Sequence, residues 1–426
     1  MKRESFTMNG LNVVVLKTDK FKTTDILINF RNLLNKENAT VRALIPSILK
    51  SGSKNYPSKK AISRELERLY GASFGANVIK QGIQQIISFK MSLVNDNYLV
   101  NHENVLDDAF KLMHDVLFNP LKEQEGFNEK FVNTEKRLLG DQFDSLYDNK
   151  IRYALDQLMN HMFKDESYKI RSIGDKEDIT GINAQNAYSA YEKMLKEDAV
   201  DLFIIGDIDE VRIKKLVEKY FKIEARSIKF DVLDLEEKEI RQANEVVEYQ
   251  EVNQAKLNIG LRTHTRGLDE DYYDMLVLNG ILGSYPHSLL FKNVREKHSL
   301  CYYISSTIDR AKGAMFIYAG IEHTDYKKAV DLTLEQIESL KKGDFTEEIL
   351  LNTKNAIIND MLEMNDSPSA ILATDFASLL YGEVYDVEKR IQLISKITKE
   401  DIVKVAQKLE LDTIFYLTKE GVIINE

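Results

Sequence analysis

FNEKFVNTEKRLLGDQ, residues 127–142, returns in altered spelling as FTEEILLNTKNAIINDM, residues 345–361. Asn133-Thr134 falls on Asn352-Thr353 and Asp141 on Asp360, so one constant offset aligns both landmarks. Further on, INAQNA at Ile182 resembles ITKEDI at Ile397, each opening a helix that leads to a last strand. A solenoid repeats every 20 to 50 residues or so. A period this much longer indicates two similar domains.

Around that repeat, each half reads in the same order. In the first, Leu11 to Leu16 and Thr24 to Phe30 are expected strands. Val41, Leu44, Ile45, Ile48 and Leu49 then recur at the spacing of one helical face, stopping near Ser51-Gly52. Pro46 lies inside this pattern, where it removes a backbone donor and presses on the carbonyl four residues back, so the helix should kink or begin late. A helix from Ser58 to Tyr70 follows, with Ser58 as N-cap, then a hairpin turning near Gln81-Gly82. Helices are expected over 103–118, 126–146, 151–162 and 184–195, and a strand over 200–205. The second half repeats the plan with a helix over 272–282, a hairpin turning near Lys312-Gly313 and a helix over 327–340. The expected fold class is α+β: two homologous α/β domains from an internal duplication, each a mainly antiparallel sheet covered by helices. Their expected extents are 1–224 and 246–426. Between them 225–245 turns charged and aperiodic, with the acidic run Asp234 to Glu239 read as solvated linker.

Between helix and hairpin of the second half lies SLLFKNVREKHSLCYYIS, residues 288–305. Leu290, Phe291 and Val294 give an apolar helical face; Leu300, Tyr302 and Ile304 then alternate with Cys301, Tyr303 and Ser305 at strand period. Arg295 closes the helix and Tyr302 opens the strand, so a tight turn would aim both into one space. Taken alone, an arginine at a helix C-terminus offsets the macrodipole and a strand tyrosine is ordinary core.

Composition narrows the classes. The 426 residues carry 58 basic and 68 acidic side chains, a net charge of −10, and no basic block marks a phosphate-binding footprint. Nucleic acid is therefore not expected as a partner. The single cysteine, Cys301, excludes an internal disulfide and fits a reducing compartment, with the cytoplasm as the default. The short apolar run 11–16 is followed at once by charge, too little for a signal peptide or a membrane span.

In element order, and in LKSGSKNYPS at Leu49, the strand end Gly206-Asp207 and the Arg-Glu-Lys-x-x-Leu-x-Tyr run from Arg295, the chain resembles the pitrilysin/insulinase family of zinc peptidases. The resemblance is strongest to the short two-domain members related to mitochondrial processing peptidase, and it covers nearly the whole chain. It implies a helix in the first domain bearing His-x-x-Glu-His, whose two imidazoles bind zinc while the glutamate acts as general base, with a distant glutamate as third ligand. Aligned on GSKNYP, that motif falls on Ala43 to Ser47, reading ALIPS. The histidine positions become Ala43 and Ser47, the base position Pro46, and the third ligand, seven residues after Glu135, becomes Gln142. Alanine offers no donor, proline no base, and hydroxyl and amide are poor neutral ligands. The seven histidines, at 102, 114, 161, 264, 287, 298 and 323, include no pair spaced three to five apart to replace them. His298 and Cys301 read as a surface imidazole and a small buried thiol, with no sign of the lowered pKa a nucleophile requires.

Arg295 and Tyr302 match the family pair that holds the substrate backbone and stabilises the oxyanion. The resemblance therefore implies a non-catalytic subunit with no metal of its own, binding peptide and lending Arg295 and Tyr302 to a zinc-bearing sister chain. One bacterial subfamily of such chains is associated with modification of elongation factor P. The GASFGAN stretch at Gly71 corresponds to the family's substrate-pairing edge strand, but Gly75 stands where the family has asparagine, and a purely structural strand is the expectation. Two other readings remain: a peptide-binding scaffold without catalytic contribution, and a solo hydrolase with an unconventional site.

Overall fold

The computed structural model describes residues 1–100, 104–224, 228–236 and 242–421. The chain forms two compact units, each with its own sheet.

Unit 1 comprises Met1–Phe143, Ile170–Val232 and Ser367–Leu380. Its strands are β1 (Lys2–Met8), β2 (Leu11–Lys17), β3 (Thr23–Leu33), β4 (Ser73–Gln81) and β5 (Gln84–Val94), with a two-residue ladder of β6 (Lys122–Glu123) and β7 (Gly126–Phe127), and β8 (Ala199–Gly206). The main sheet runs β1-β2-β8-β3-β5-β4, with β4 at the edge. In this sheet the β2–β8 pair is parallel, and β8 is buried at all eight residues, apolar but for Asp201, which accepts from Arg31 Nε at 2.6 Å. Between β3 and β4 come helices α1 (Ala39–Ser51) and α2 (Lys59–Arg68); Ser58 caps α2 by accepting from the Ala61 N–H at 3.2 Å. Helix α1 does not begin late. Pro46 is its eighth residue, held within a helix buried at ten positions. The turn before β5 needs Gly82, which sits at φ +58° with its α-carbon pressed against the Val232 carbonyl, leaving no room for a side chain.

Unit 2 comprises Asp144–Lys169, Leu233–Asp366 and Tyr381–Glu426. Its strands are β9 (Asn244–Tyr249), β10 (Ala255–Arg262), β11 (Cys301–Asp309), β12 (Ala314–Ile321) and β13 (Glu410–Thr418), in the order β11-β12-β10-β13-β9. As β2 pairs parallel with β8 in unit 1, β9 pairs parallel with β13 here, and the other described pairs are antiparallel. Strand for strand this repeats β4-β5-β3-β8-β2, the architecture the sequence repeat predicts.

The units are not the contiguous stretches 1–224 and 246–426, because each takes one helix from the opposite half of the chain. Helices α3 (Val105–Phe118) and α4 (Glu129–Asp148) belong wholly or mostly to unit 1, but α5 (Lys150–Met162) packs on β10 and β13 of unit 2. Gly260 of β10 admits Met162 and Leu158 of α5 against its α-carbon, and His161 stacks on Phe415 with ring centroids 5.9 Å apart. Conversely, helix Pro368–Leu380 lies over β3 and β8 of unit 1, where Phe376 meets Phe203 edge-on at 5.7 Å. Nor is the described part of 225–245 solvated throughout. Val232 and Asp234 are buried, and Asp234 forms an ion pair at 3.1 Å with Lys312, itself fully buried. Residues 225–227 and 237–241 of that stretch, and the first residue of the expected 103–118 helix, lie outside the described residues.

Candidate functional site

Ala43, Pro46, Ser47 and Lys50 recur on α1 at i, i+3, i+4 and i+7 and so form one stripe. Beyond that stripe Arg42 clamps the helix, its guanidinium donating to both Asp198 carboxylate oxygens at 3.0 and 2.6 Å and to Gln85 Oε1 at 2.8 Å. The stripe faces a cleft. Ala43, Pro46 and Ser47 line a cavity of about 240 Å³ together with Glu135 and Gln142 of α4 and Ala76 and Asn77 of β4. A second cavity of about 320 Å³ shares Ser47, Ala76 and Glu135 and extends to Lys50, Lys59, Ile62 and Phe74. Thus the four positions aligned with the zinc motif come together in space. Their donor set does not fit a zinc ion. The carboxylate that remains, Glu135, is 5% exposed and already accepts from Ser51 Oγ at 2.9 Å and Lys59 Nζ at 2.7 Å. The other wall positions supply a methyl, a proline ring, a hydroxyl and an amide.

In unit 2 the segments Gly280–Ser284 and Leu290–Lys297 are wound as π-helix, a geometry the apolar spacing does not distinguish from the α-helix expected over 272–282. Leu290 and Val294 are buried as expected. Arg295 is half-buried, its guanidinium 4.3 Å from the centroid of the Phe291 ring one turn back. The expected strand alternation fails at Tyr302. A bulge between Cys301 and Tyr303 leaves Tyr302 without a partner in the β11–β12 register. Cys301 and Ile304 therefore face the core, while Tyr302 is 65% exposed. Its hydroxyl donates to Glu322 Oε1 at 3.0 Å, and that bond pushes the phenol pKa up. The π segment packs against β11, but among the described residues no hydrogen bond or ring contact joins Arg295 to Tyr302.

Three comparisons bear on this geometry. Residues 181–357 match the family described as Peptidase M16 inactive domain. A Bacillus subtilis protein described as a probable inactive metalloprotease, YmfF, is 34% identical over 408 residues, 96% of each chain. The chain belongs to the M16 peptidase family. Among solved structures, a conserved protein from Enterococcus faecalis V583 superposes with a TM-score of 0.90 at 32% identity, covering 98% of this chain and 99% of that one. A protease from Helicobacter pylori matches in fold, with a TM-score of 0.79 at 18% identity over 98% of this chain and 99% of its own. Family and fold thus stand as the sequence implied.

The remaining histidines serve packing or local bonds in this M16 chain. His264 meets Glu410 at 3.2 Å, His287 meets Thr353 at 2.9 Å and His323 meets Thr418 at 2.8 Å, while His298 is exposed and His102 lies outside the described residues. The Cys301 thiol is pushed up to about 11 by burial, so it is neutral at pH 7 and no nucleophile. Among the described residues one acidic group is close enough to hold a cation, Glu166 with Asp234 and Glu236. The Lys312 ammonium already sits there, paired with Glu166 and Asp234 and donating to the Glu236 carbonyl at 2.6 Å. Lys50 and Lys59 are the lining residues the sequence reading passed over. Lys50 was detectable, because it lies one turn beyond Ser47 on the motif face. No helix among the described residues is long and apolar enough to cross a membrane.

Proposed function

We propose that this chain is the non-catalytic subunit of a heterodimeric zinc metallopeptidase. It binds peptide and supplies Arg295 and Tyr302 to the active site of a zinc-bearing sister chain. The observation that carries the reading is the contrast between a motif cleft emptied of metal donors and a bulge that turns Tyr302 outward to 65% exposure. A core tyrosine would not be held out in this way. A donor waiting for a substrate brought by another chain would be, and its bond to Glu322 is one that solvent or substrate can replace. Arginine and tyrosine donors aimed at a scissile carbonyl stabilise the oxyanion that forms there.

The experiment is to co-express the chain with a sister bearing an intact His-x-x-Glu-His and compare variants. Arg295→Ala and Tyr302→Phe should each lower peptide turnover by roughly a hundred- to a thousandfold, as loss of an oxyanion donor does, while co-purification persists. Unchanged turnover in both would leave the scaffold reading. The association of one subfamily with elongation factor P extends the proposal to that substrate, and the mass of the factor in a strain lacking this chain checks the extension.

A further inference from the structure

We infer that the cleft of unit 1 is a recognition site for an acidic side chain on an extended peptide, with Lys50 as the group that reads the carboxylate. The inference rests on the reading of this chain as a peptide-binding subunit, but it concerns a different place and needs no sister chain.

Lys50 stands on the α1 stripe of Ala43, Pro46 and Ser47, the face on which the motif would place its metal ligands. Its aliphatic stem is half-buried and its ammonium lies 5.9 Å from the centroid of the Phe74 ring. Lys59 reaches the same cavity from the start of α2 but is bonded to Glu135, the carboxylate between them. Two lysines and one glutamate therefore line the cavity, and the pairing of Lys59 with Glu135 leaves Lys50 as the cation in excess. Among the described residues it makes no hydrogen bond or ion pair. Burial, then the neighbouring Lys59, lowers its pKa, and the attraction of Glu135 only partly offsets them.

An unpaired ammonium half out of water costs free energy that an incoming carboxylate would recover as a charge-assisted hydrogen bond. The chain as a whole carries −10, so the excess positive charge lining this cleft is opposite in sign to the molecule's net charge. The cavity's volume, about 320 Å³, is at the lower end for a side-chain or small-ligand site. Its floor is apolar at Ile62, Leu66 and Phe74, which suits the methylenes of a glutamate beneath its charged head. Edge strand β4, hydrogen-bonded only to β5, forms one wall and can hold the peptide backbone.

The test uses the full chain alone and two fluorescein-labelled decapeptides, alike except for a central Glu or Gln, read by fluorescence anisotropy. The Glu peptide should bind about tenfold more tightly, with an affinity that falls as salt rises. Lys50→Met should lose that factor and bind both peptides alike, Lys50→Arg should keep the preference, and Lys60→Met, exposed beside the cleft, should match the native chain. Thermal melting shows that each variant is folded. Equal binding of the two peptides, binding of neither, or a Glu preference that survives Lys50→Met would overturn the inference. None of these outcomes touches the Arg295 and Tyr302 reading, which is decided by turnover in the mixed complex.

Discussion

Strands β4 and β11 occupy corresponding ends of two sheets built in the same order, and they present different chemistry. In β4 the register with β5 is unbroken from Ser73 to Gln81, Phe74 stacks on Phe89 with centroids 6.3 Å apart, and the wall it offers the cleft is Phe74, Ala76, Asn77 and Val78. In β11 a bulge breaks the register at Tyr302 and turns a large polar aromatic out of the sheet. The helices just before them differ in parallel: α2, which leads into β4, is α-helical and brings Lys59 to the cleft, whereas Leu290–Lys297, which leads into β11, is π-wound and carries Arg295. A duplicated fold has thus kept its sheet order while dividing the chemistry. One copy lines a cleft with Ala43, Pro46, Ser47 and Gln142; the other presents an exposed Tyr302 beside a half-buried Arg295.

The same contrast holds for charge, and it can be broken by substitution. Unit 1 presents Lys50 to an open cleft, whereas unit 2 seals Lys312 at 0% side-chain exposure between Glu166 and Asp234. Lys312→Ala would leave buried Asp234 without its cation and Glu166 with Arg262 alone, and should cost about 3–5 kcal/mol in urea unfolding. A loss below 1 kcal/mol would mean that water reaches the group. The next effect belongs to β4: Phe74→Ala should cost about 3 kcal/mol as a truncation of a buried ring, measured in the same way.

A smaller effect separates the units by pH. The Asp274 carboxyl is raised to about 6, first by burial and then by Asp401 and Asp271. A folded-state pKa above the unfolded one means that the native state holds the proton more tightly. Stability from this group is therefore full at low pH and declines as pH rises from about 4 to about 6. Asp274→Asn should be more stable than the native chain at pH 7 by about 1 kcal/mol or less, given its partial exposure to solvent, with the difference vanishing near pH 4 in thermal melts. The smallest effect returns to β11. Because Tyr302 is exposed, Tyr302→Ala should leave the urea unfolding midpoint essentially where it is. A core-sized loss would make it a packing residue and undo the contrast with Phe74.

The α+β class and the two-fold repeat were legible in the sequence, because apolar periodicity and the aligned landmarks Asn133-Thr134 and Asn352-Thr353 depend on local pattern. Other features were not. The spacing in α5 and in Pro368–Leu380 marks helices but does not say which sheet each covers, so the exchange between halves went unread. The Asp234 carboxylate looked solvated because Lys312, which buries it, lies 78 residues further on. The bulge at Tyr302 leaves no trace in residue type, since Cys-Tyr-Tyr-Ile suits a regular strand equally well. Pro46 was read from local propensity, which the buried surroundings of α1 override.

Zinc content tests the account most directly. After equilibration with micromolar zinc and gel filtration, the purified chain should carry far less than one zinc per molecule by atomic emission. The combined variant Ala43→His, Pro46→Glu, Ser47→His and Gln142→Glu, which returns ligands to the same cleft, should approach one. A tightly held stoichiometric zinc in the native chain, lost on Gln142→Ala, would contradict the claim that this copy of the fold has given up its metal.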